Sequence, residues 1–163
     1  MDVPFLEQVK IQAQVLVPIL KEFQKELGKE KVNEIVTRAI DPIYREFGKQ
    51  WWATHSGSPT DRIKEAIVMF AIGDEKGPAI KVKELKRTDD EYDFNITRCR
   101  YSEFYKELGE PELGALLICG IDDPMTEGYG ANVELKRAHT IMKGGKQCEF
   151  RYRAKKESKK KKK

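Results

Sequence analysis

Two pairs of alternating segments constrain the fold of this chain more than any other feature of its sequence. Residues 91–99, EYDFNITRC, carry an aromatic or aliphatic side chain at alternate positions, and residues 79–87 alternate more weakly. This pattern predicts two antiparallel strands joined by the turn RTDD. Residues 131–138 and 147–153 flank a pair of glycines and predict a second hairpin.

Helical spacing of apolar residues dominates the first part of the chain. Steps of three, four and seven predict one helix over residues 3–27 and a second that follows it. We expect Pro18 to kink or divide the first helix, Pro42 to interrupt the second, and Gly48 to end it. A third helix is predicted to begin at Ser58, which precedes a proline. The predicted inward faces are Phe5, Val9, Leu16, Leu20, Phe23 and Leu27 in the first helix, and Val32, Val36, Ile40, Ile43 and Phe47 in the second.

The segment between the two hairpins is predicted to contain two short helices, YSEFYKELG and PELGALLICG. The stretch IDDPMTEGYG, residues 121–130, is rich in Asp, Pro and Gly and is predicted to be a loop. The order of elements indicates an α+β fold. N-terminal helices would pack on an antiparallel sheet of about four strands, with two short helices between the hairpins.

The charge of the chain is unevenly distributed. Residues 155–163, KKESKKKKK, hold seven of the 31 basic and one of the 27 acidic residues, so the remainder has 24 basic and 26 acidic residues. We therefore expect a single domain over residues 1–153 and a disordered, dispensable lysine-rich tail over residues 154–163. A domain without a net basic bias argues against a specific nucleic-acid partner.

No run of about 18 apolar residues occurs, so neither a transmembrane helix nor a membrane partner is expected. The first residues lack the features of a secretory signal. The three cysteines are an odd number without CxxC spacing, which gives no pattern for zinc or for a disulfide framework. We expect a cytoplasmic protein with reduced cysteines, no metal and no cofactor.

Arg137 lies on the apolar phase of the third predicted strand, which Val133 and Leu135 mark. Alternation should direct Arg137 toward the side of the sheet that the helices cover. A buried arginine is costly unless it has an anionic partner. That partner is either an internal Asp or Glu or the carboxylate of a small ligand, unless the strand ends at Arg137 and the side chain reaches solvent. The sequence favours the internal and strand-end explanations.

Several residues nearby could carry chemistry. Cys119 precedes Asp122 and Asp123, but its position after a helix raises the pKa of a thiol, so the sequence favours a structural role. Asp122 or Asp123 could instead activate water, and His139 could transfer a proton near neutral pH. Trp52, in KQWWATHSGSPT, could line a ligand pocket, although a core position is favoured.

The chain from about residue 92 to residue 153 resembles the L-2-amino-thiazoline-4-carboxylic acid hydrolase family. The resemblance lies in FNITRCRYSEFYKELGEPELGALLICGIDD and NVELKRAHTIMKGGKQCEFRYR. It implies hydrolytic opening of a cyclic, amidine-like ring that bears a carboxylate, giving N-carbamoyl-cysteine. The residues that fall on the family's motif positions are Cys99, Cys119, Asp122 or Asp123, Arg137, Thr140 and Cys148.

The same C-terminal pattern is similar to vinyl reductase domains, which include small-molecule sensors and carry a zinc-binding E-x2-C-x7-C. Arg137, Thr140 and Cys148 occupy these positions here. Arginine cannot bind zinc and threonine replaces a thiolate poorly, so the resemblance implies a site remade for an anionic ligand.

Two functions follow from these observations. The first is a hydrolase that acts on a C–N or C–S bond of a small carboxylated molecule. Arg137 would hold its carboxylate, and Thr140, Cys148, Cys99 and Trp52 would contact the substrate. The second is a non-catalytic binding or sensor domain with the same pocket. The sequence leaves open whether the chain also forms a homo-oligomer.

Overall fold

The computed structural model describes residues 3–154, and these contain a single antiparallel sheet. Its four strands are β1 Ile80–Arg87, β2 Glu91–Cys99, β3 Val133–Arg137 and β4 Cys148–Ala154. They lie in the order β1-β2-β4-β3, so the pairing of β2 with β4 joins the two hairpins into one sheet. Both predicted hairpins are confirmed.

The helices account for most of the remaining chain. They are α1 Phe5–Leu27, α2 Lys29–Thr54, α3 Pro59–Ala71, α4 Arg100–Glu107, α5 Pro111–Leu117 and α6 Asp122–Tyr129, with 3-10 turns at Cys119–Ile121 and Ile141–Lys143. Ser58 caps α3 through a reciprocal hydrogen-bond pair with Asp61, as its sequence predicts. The α+β fold with N-terminal helices and an antiparallel sheet is confirmed.

Aromatic side chains of the two central strands form the middle of the core. Phe94 of β2 lies opposite Phe150 of β4, with nearly parallel rings whose centroids are 4.9 Å apart. Tyr92 and Tyr152 form the next aromatic pair of the same register. All four side chains are buried. Paired aromatics on one face fix the register, because a slip of one residue would turn them to the other face.

The buried face of α1 differs from the predicted one. Leu16, Phe23 and Leu27 were expected to point inward and are exposed. In α2, Ile43 is likewise exposed. The side chains of α1 that are buried are Leu6, Val9, Ala13, Val17 and Leu20. Because α1 carries apolar residues on two adjacent faces, periodicity alone could not determine which face packs against the domain.

Neither internal proline divides its helix. The expected interruption at Pro42 is therefore wrong, and so is a division at Pro18, for which a kink was the alternative. Helix α1 continues through Pro18, and α2 continues through Pro42. A proline removes one hydrogen bond to the carbonyl four residues earlier. Both prolines lie on exposed sides of their helices, so these carbonyl groups remain open to water.

A close crossing of α2 and α6 explains two further differences from the prediction. Gly48 does not end α2, and residues 122–129 form α6 rather than a loop. An added Cβ at Gly48 would lie 2.1 Å from the carbonyl oxygen of Met125, and one at Gly128 would lie 2.2 Å from that of Arg45. The two glycines therefore allow the two helix backbones to touch.

Strand β4 extends to Ala154, whose side chain is buried, so this residue belongs to the sheet although it was expected in the tail. The predicted tail, apart from Ala154, lies outside the described residues. No helix within residues 3–154 is long and apolar enough to cross a lipid bilayer.

The helix crossing predicts the effect of one added methyl group. Gly48→Ala should lower the free energy of unfolding by about 1–3 kcal/mol, because a backbone atom cannot rotate away from the new Cβ. Gly120→Ala is the control, since its Cβ would meet only the Ala115 carbonyl oxygen at 3.7 Å. Urea unfolding of both variants measures the difference. Equal stability of the two variants would contradict the close crossing.

Candidate functional site

A cavity of about 70 Å³ lies between the sheet and the helices. One buried water requires roughly 10–15 Å³ of cavity volume measured in this way, so the cavity can hold several waters or a small organic molecule. Most of its wall is hydrocarbon or aromatic ring. The residues that line it are Phe5, Ile67, Phe70, Ile80, Ile96, Cys99, Tyr101, Ile118, Cys119, Ile121, Asp122, Arg137, Thr140, Cys148 and Phe150.

An ion pair between Arg137 and Asp122 forms the charged part of this cavity. Arg137 is the last residue of β3, and its Nη1 donates to the carboxylate of Asp122, the first residue of α6. The same nitrogen donates to the carbonyl oxygen of Cys119 at 2.7 Å. The side chains of Arg137 and Asp122 are only 14% and 19% exposed. Arg137 therefore points inward, and an internal carboxylate is its partner.

The guanidinium group also lies against an aromatic ring of the sheet. Its Cζ is 5.8 Å from the ring centroid of Phe150, within the range of a cation–π contact. A hydrogen-bonded carboxylate, a backbone carbonyl and a ring face together offset the cost of burying the charge. When Asp122 is ionised, the pair leaves this end of the cavity without net charge.

Burial raises the pKa of Asp122 to about 7, although Arg137 acts in the opposite direction. In a second ion pair, between Arg100 and Asp74, hydrogen bonding outweighs burial. Arg100 binds both carboxylate oxygens of Asp74, at 2.8 and 2.7 Å, and these hydrogen bonds hold the pKa of Asp74 well below its usual range. Two bonded oxygens favour the charged form in Asp74, whereas desolvation dominates at Asp122.

All three cysteines line the cavity, but none is activated. Burial raises the pKa of the Cys119 thiol to about 12 and that of Cys99 to about 11, and it also raises the pKa of Cys148. Since the thiolate is the nucleophilic form, these neutral thiols are weak nucleophiles. Within the described residues, no group of three or more His, Cys, Asp or Glu side chains is placed to hold a metal ion.

The structure brings together six of the nine residues that the sequence suggested for the site. They are Cys99, Cys119, Asp122, Arg137, Thr140 and Cys148. The other three lie elsewhere. Asp123 and His139 are exposed and do not line the cavity. For His139 the reason is that β3 ends at Arg137, so its alternation does not continue to residue 139.

Trp52 lies in a separate cleft between α2, α3 and α6. Its ring stacks on Tyr129 with centroids 5.1 Å apart, and the guanidinium of Arg62 is 4.9 Å from its centroid. Its neighbour Trp51 donates its indole N–H to the carbonyl oxygen of Arg62 at 3.0 Å. Trp52 therefore packs against its neighbours at this cleft and does not line the cavity.

Sequence analysis did not find the aromatic part of the cavity. Phe5 and Phe70 meet edge to face, with centroids 4.9 Å apart, and Tyr101 donates its hydroxyl to the carbonyl oxygen of Phe70 at 2.9 Å. Phe5 and Phe70 do appear in the helical pattern of apolar residues. That pattern marks a buried face, but it does not separate residues that line a cavity from those that fill the core.

The raised pKa of Asp122 predicts how stability depends on pH. The folded protein keeps this proton up to about pH 7, whereas an unperturbed carboxyl group releases it near pH 3.8. The contribution of Asp122 to stability is therefore fully present below pH 4 and is lost as the pH rises to 7. The expected loss is up to about 1.4 kcal/mol per pH unit.

Asp122→Asn keeps the shape of the protonated side chain and removes its titration. Relative to this variant, the wild type should lose several kcal/mol of unfolding free energy between pH 4 and pH 7.5. Urea unfolding across this range measures the effect. Asp89→Asn is the control and should follow the wild type, because Asp89 is exposed and does not line the cavity. A parallel pH dependence of all three proteins would contradict the raised pKa.

Comparison with solved structures shows a related fold. The crystal structure of the phenol-responsive sensory domain of the transcription activator PoxR, determined with phenol, superposes with a TM-score of 0.52. The match covers 85% of this chain and 72% of that one, at 11% sequence identity. At this identity the likeness concerns the fold. No curated protein matches the sequence.

A family model described as L-2-amino-thiazoline-4-carboxylic acid hydrolase matches residues 8–152. The match spans both hairpins, the intervening helices and nearly all of the N-terminal helical part, so it extends well beyond the C-terminal segment in which the sequence motifs were found. It includes every residue that lines the cavity except Phe5. The chain therefore belongs to the L-2-amino-thiazoline-4-carboxylic acid hydrolase family.

Proposed function

We propose that this protein binds a small, largely apolar organic molecule in the cavity, with one polar group of the ligand facing Asp122 and Arg137. The observation that carries this proposal is the composition of the wall. Hydrocarbon and aromatic surface surrounds a single arginine–aspartate pair whose two groups already bind each other within the chain. Such a lining favours an apolar body and fixes its orientation through few polar contacts.

A carboxylated ligand, which the sequence motifs suggest, would meet this ion pair differently from a neutral one. Its carboxylate could bind the Arg137 guanidinium only next to the carboxyl group of Asp122, which already accepts a hydrogen bond from Arg137. Two carboxylates at one buried arginine repel each other unless one of them is protonated. Since the pKa of Asp122 is about 7, protonation of Asp122 admits an anionic ligand in weakly acidic solution.

This coupling predicts a difference between two matched ligands. Phenol is a suitable neutral probe, because the structural neighbour responds to it, and benzoate supplies a carboxylate on the same ring. Benzoate should bind about tenfold more weakly at pH 8 than at pH 6, since Asp122 must gain a proton first. The affinity for phenol should change little. Isothermal titration calorimetry at both pH values gives the two dissociation constants.

Two variants locate the binding in the cavity. Ile118→Trp fills the space and should weaken phenol binding at least tenfold, whereas Ile72→Trp, an exposed position outside the cavity, should not. Thermal unfolding without ligand shows that both variants fold. Equal phenol affinity of the two folded variants would place the binding site elsewhere and end the proposal.

A hydrolase is the second candidate function, favoured by the family and by the carboxyl group of Asp122 in the cavity wall. Above pH 7, ionised Asp122 could accept a proton from a water that attacks the C2 carbon of the thiazoline, and the ring C–S bond would break as the sulfur takes up the proton, giving N-carbamoyl-cysteine. The raised pKa values of the thiols make Cys119 a poor nucleophile at the same pH. Asp122 is therefore the general base in this alternative.

Incubation with 2-amino-thiazoline-4-carboxylate separates the two functions. For a binding protein, mass spectrometry should detect no N-carbamoyl-cysteine above the rate without protein. If the wild type forms this product faster with rising pH and Asp122→Asn does not, the hydrolase replaces the binding function. Phenol binding by the same preparation shows whether the cavity is intact.

A further inference from the structure

Helix α1 carries a row of large apolar side chains on its outer side. Ile11, Val15, Ile19, Phe23 and Leu27 recur at every fourth residue, and they are 61%, 65%, 46%, 50% and 48% exposed. Residues four apart in a helix form a ridge on its surface. Successive residues of this row are rotated by about 40° around the helix, so Ile11 and Val15 lie opposite the buried face of α1 and Phe23 and Leu27 lie near its edge. All five side chains are open to solvent.

The same part of α1 contains no charged residue. Ten consecutive positions between Lys10 and Lys21 read IQAQVLVPIL, in a chain of which 36% of the residues are charged. Solvent-exposed helix faces in such a chain normally carry Lys and Glu. Depletion of charge in the middle, with charged residues at both ends, is the composition of an interface core and its polar rim.

We propose that this ridge, Ile11 to Leu27, is an interface with a second copy of the chain. Ridges formed by every fourth residue pack into the grooves of the same kind of ridge, which is the commonest class of helix packing. A ridge of this kind is therefore complementary to itself. A twofold axis near Ile19, the middle residue, would bring the two copies of α1 together across the same side chains.

The size of the surface fits a dimer. With about 200 Å² for a large residue, the exposed fractions of the ridge and the adjacent Leu16 correspond to roughly 600 Å² in each copy. If all of this surface were covered in both copies, the interface would bury at most about 1,200 Å², which is the lower end of the range for specific interfaces. This area supports a dimer of moderate affinity.

The charges of α1 favour a second copy over a lipid surface. The helix carries three Lys and three Glu, so it has no net charge and two copies do not repel each other. Two of these pairs, Lys10 with Glu7 and Lys25 with Glu22, already form ion pairs within the helix. A helix that lies on a membrane instead combines its apolar face with an excess of Lys and Arg.

Sedimentation equilibrium from about 1 to 100 µM, concentrations that span a moderate affinity, tests the interface. The wild type should be a dimer, and Val15→Glu should weaken the dimer at least 100-fold, because it places a charge in the apolar core of both copies. Val68→Glu is the matched control. It makes the same substitution at a valine of α3 that is 57% exposed, and it should leave the dimer intact. Circular dichroism confirms that both variants fold.

A second experiment tests the symmetry. Ile19→Cys, near the proposed axis, should give a disulfide-linked dimer under mild oxidation, whereas Val68→Cys and the wild type should not. A monomeric wild type at 100 µM would overturn the proposal, as would equal dissociation by Val15→Glu and Val68→Glu. A monomeric wild type that co-sediments with phosphatidylcholine vesicles when Val15→Glu does not would also overturn it, because the ridge would then bind lipid.

Discussion

The ion pair between Arg137 and Asp122 connects three elements that are distant in sequence. It joins the end of β3 to the first residue of α6, and its second hydrogen bond reaches the carbonyl of Cys119 in the preceding 3-10 turn. The cavity exists where these elements meet the sheet. Removing one partner would leave the other charge buried and alone, so the geometry of this corner depends on the pair. The same pair determines which ligands the cavity can accept, because it supplies the polar groups of the wall and its net charge depends on the proton of Asp122.

Most of the fold could be predicted from the sequence because strand alternation is strict here. The aromatic positions of β2 and β4 differ in polarity from their neighbours, so these strands followed from the pattern. The inward direction of Arg137 followed from its phase with Val133 and Leu135 in β3. The α2–α6 crossing could not be predicted. The sequence alone does not distinguish a glycine that ends a helix from one that allows another backbone to approach. At Gly48 the distinction comes from the contact with the Met125 backbone of α6.

The candidate site divides in the same way. The cysteines and Arg137 were suggested by a combination of phase and family motifs, and they converge on one cavity. His139 was suggested for the site because alternation was extended two residues beyond the end of β3, and in the structure its side chain is exposed. Phe5 and Phe70 were missed because an apolar side chain at a cavity wall obeys the same periodicity as one in a filled core. What separates them is a gap in the packing, which arises between elements and leaves no local signal.

The backbone contact at Gly48 and Gly128 also has a mechanical consequence. Where side chains separate two helices, a change of rotamer can absorb a small displacement of one of them. At this crossing no side chain lies between the backbones, so α6 cannot shift toward α2 without pushing it. Since Asp122 is the first residue of α6, a force applied to its carboxylate is carried along α6 into α2, the longest helix of the described chain. The polar end of the cavity is thus supported by a contact between two helix backbones.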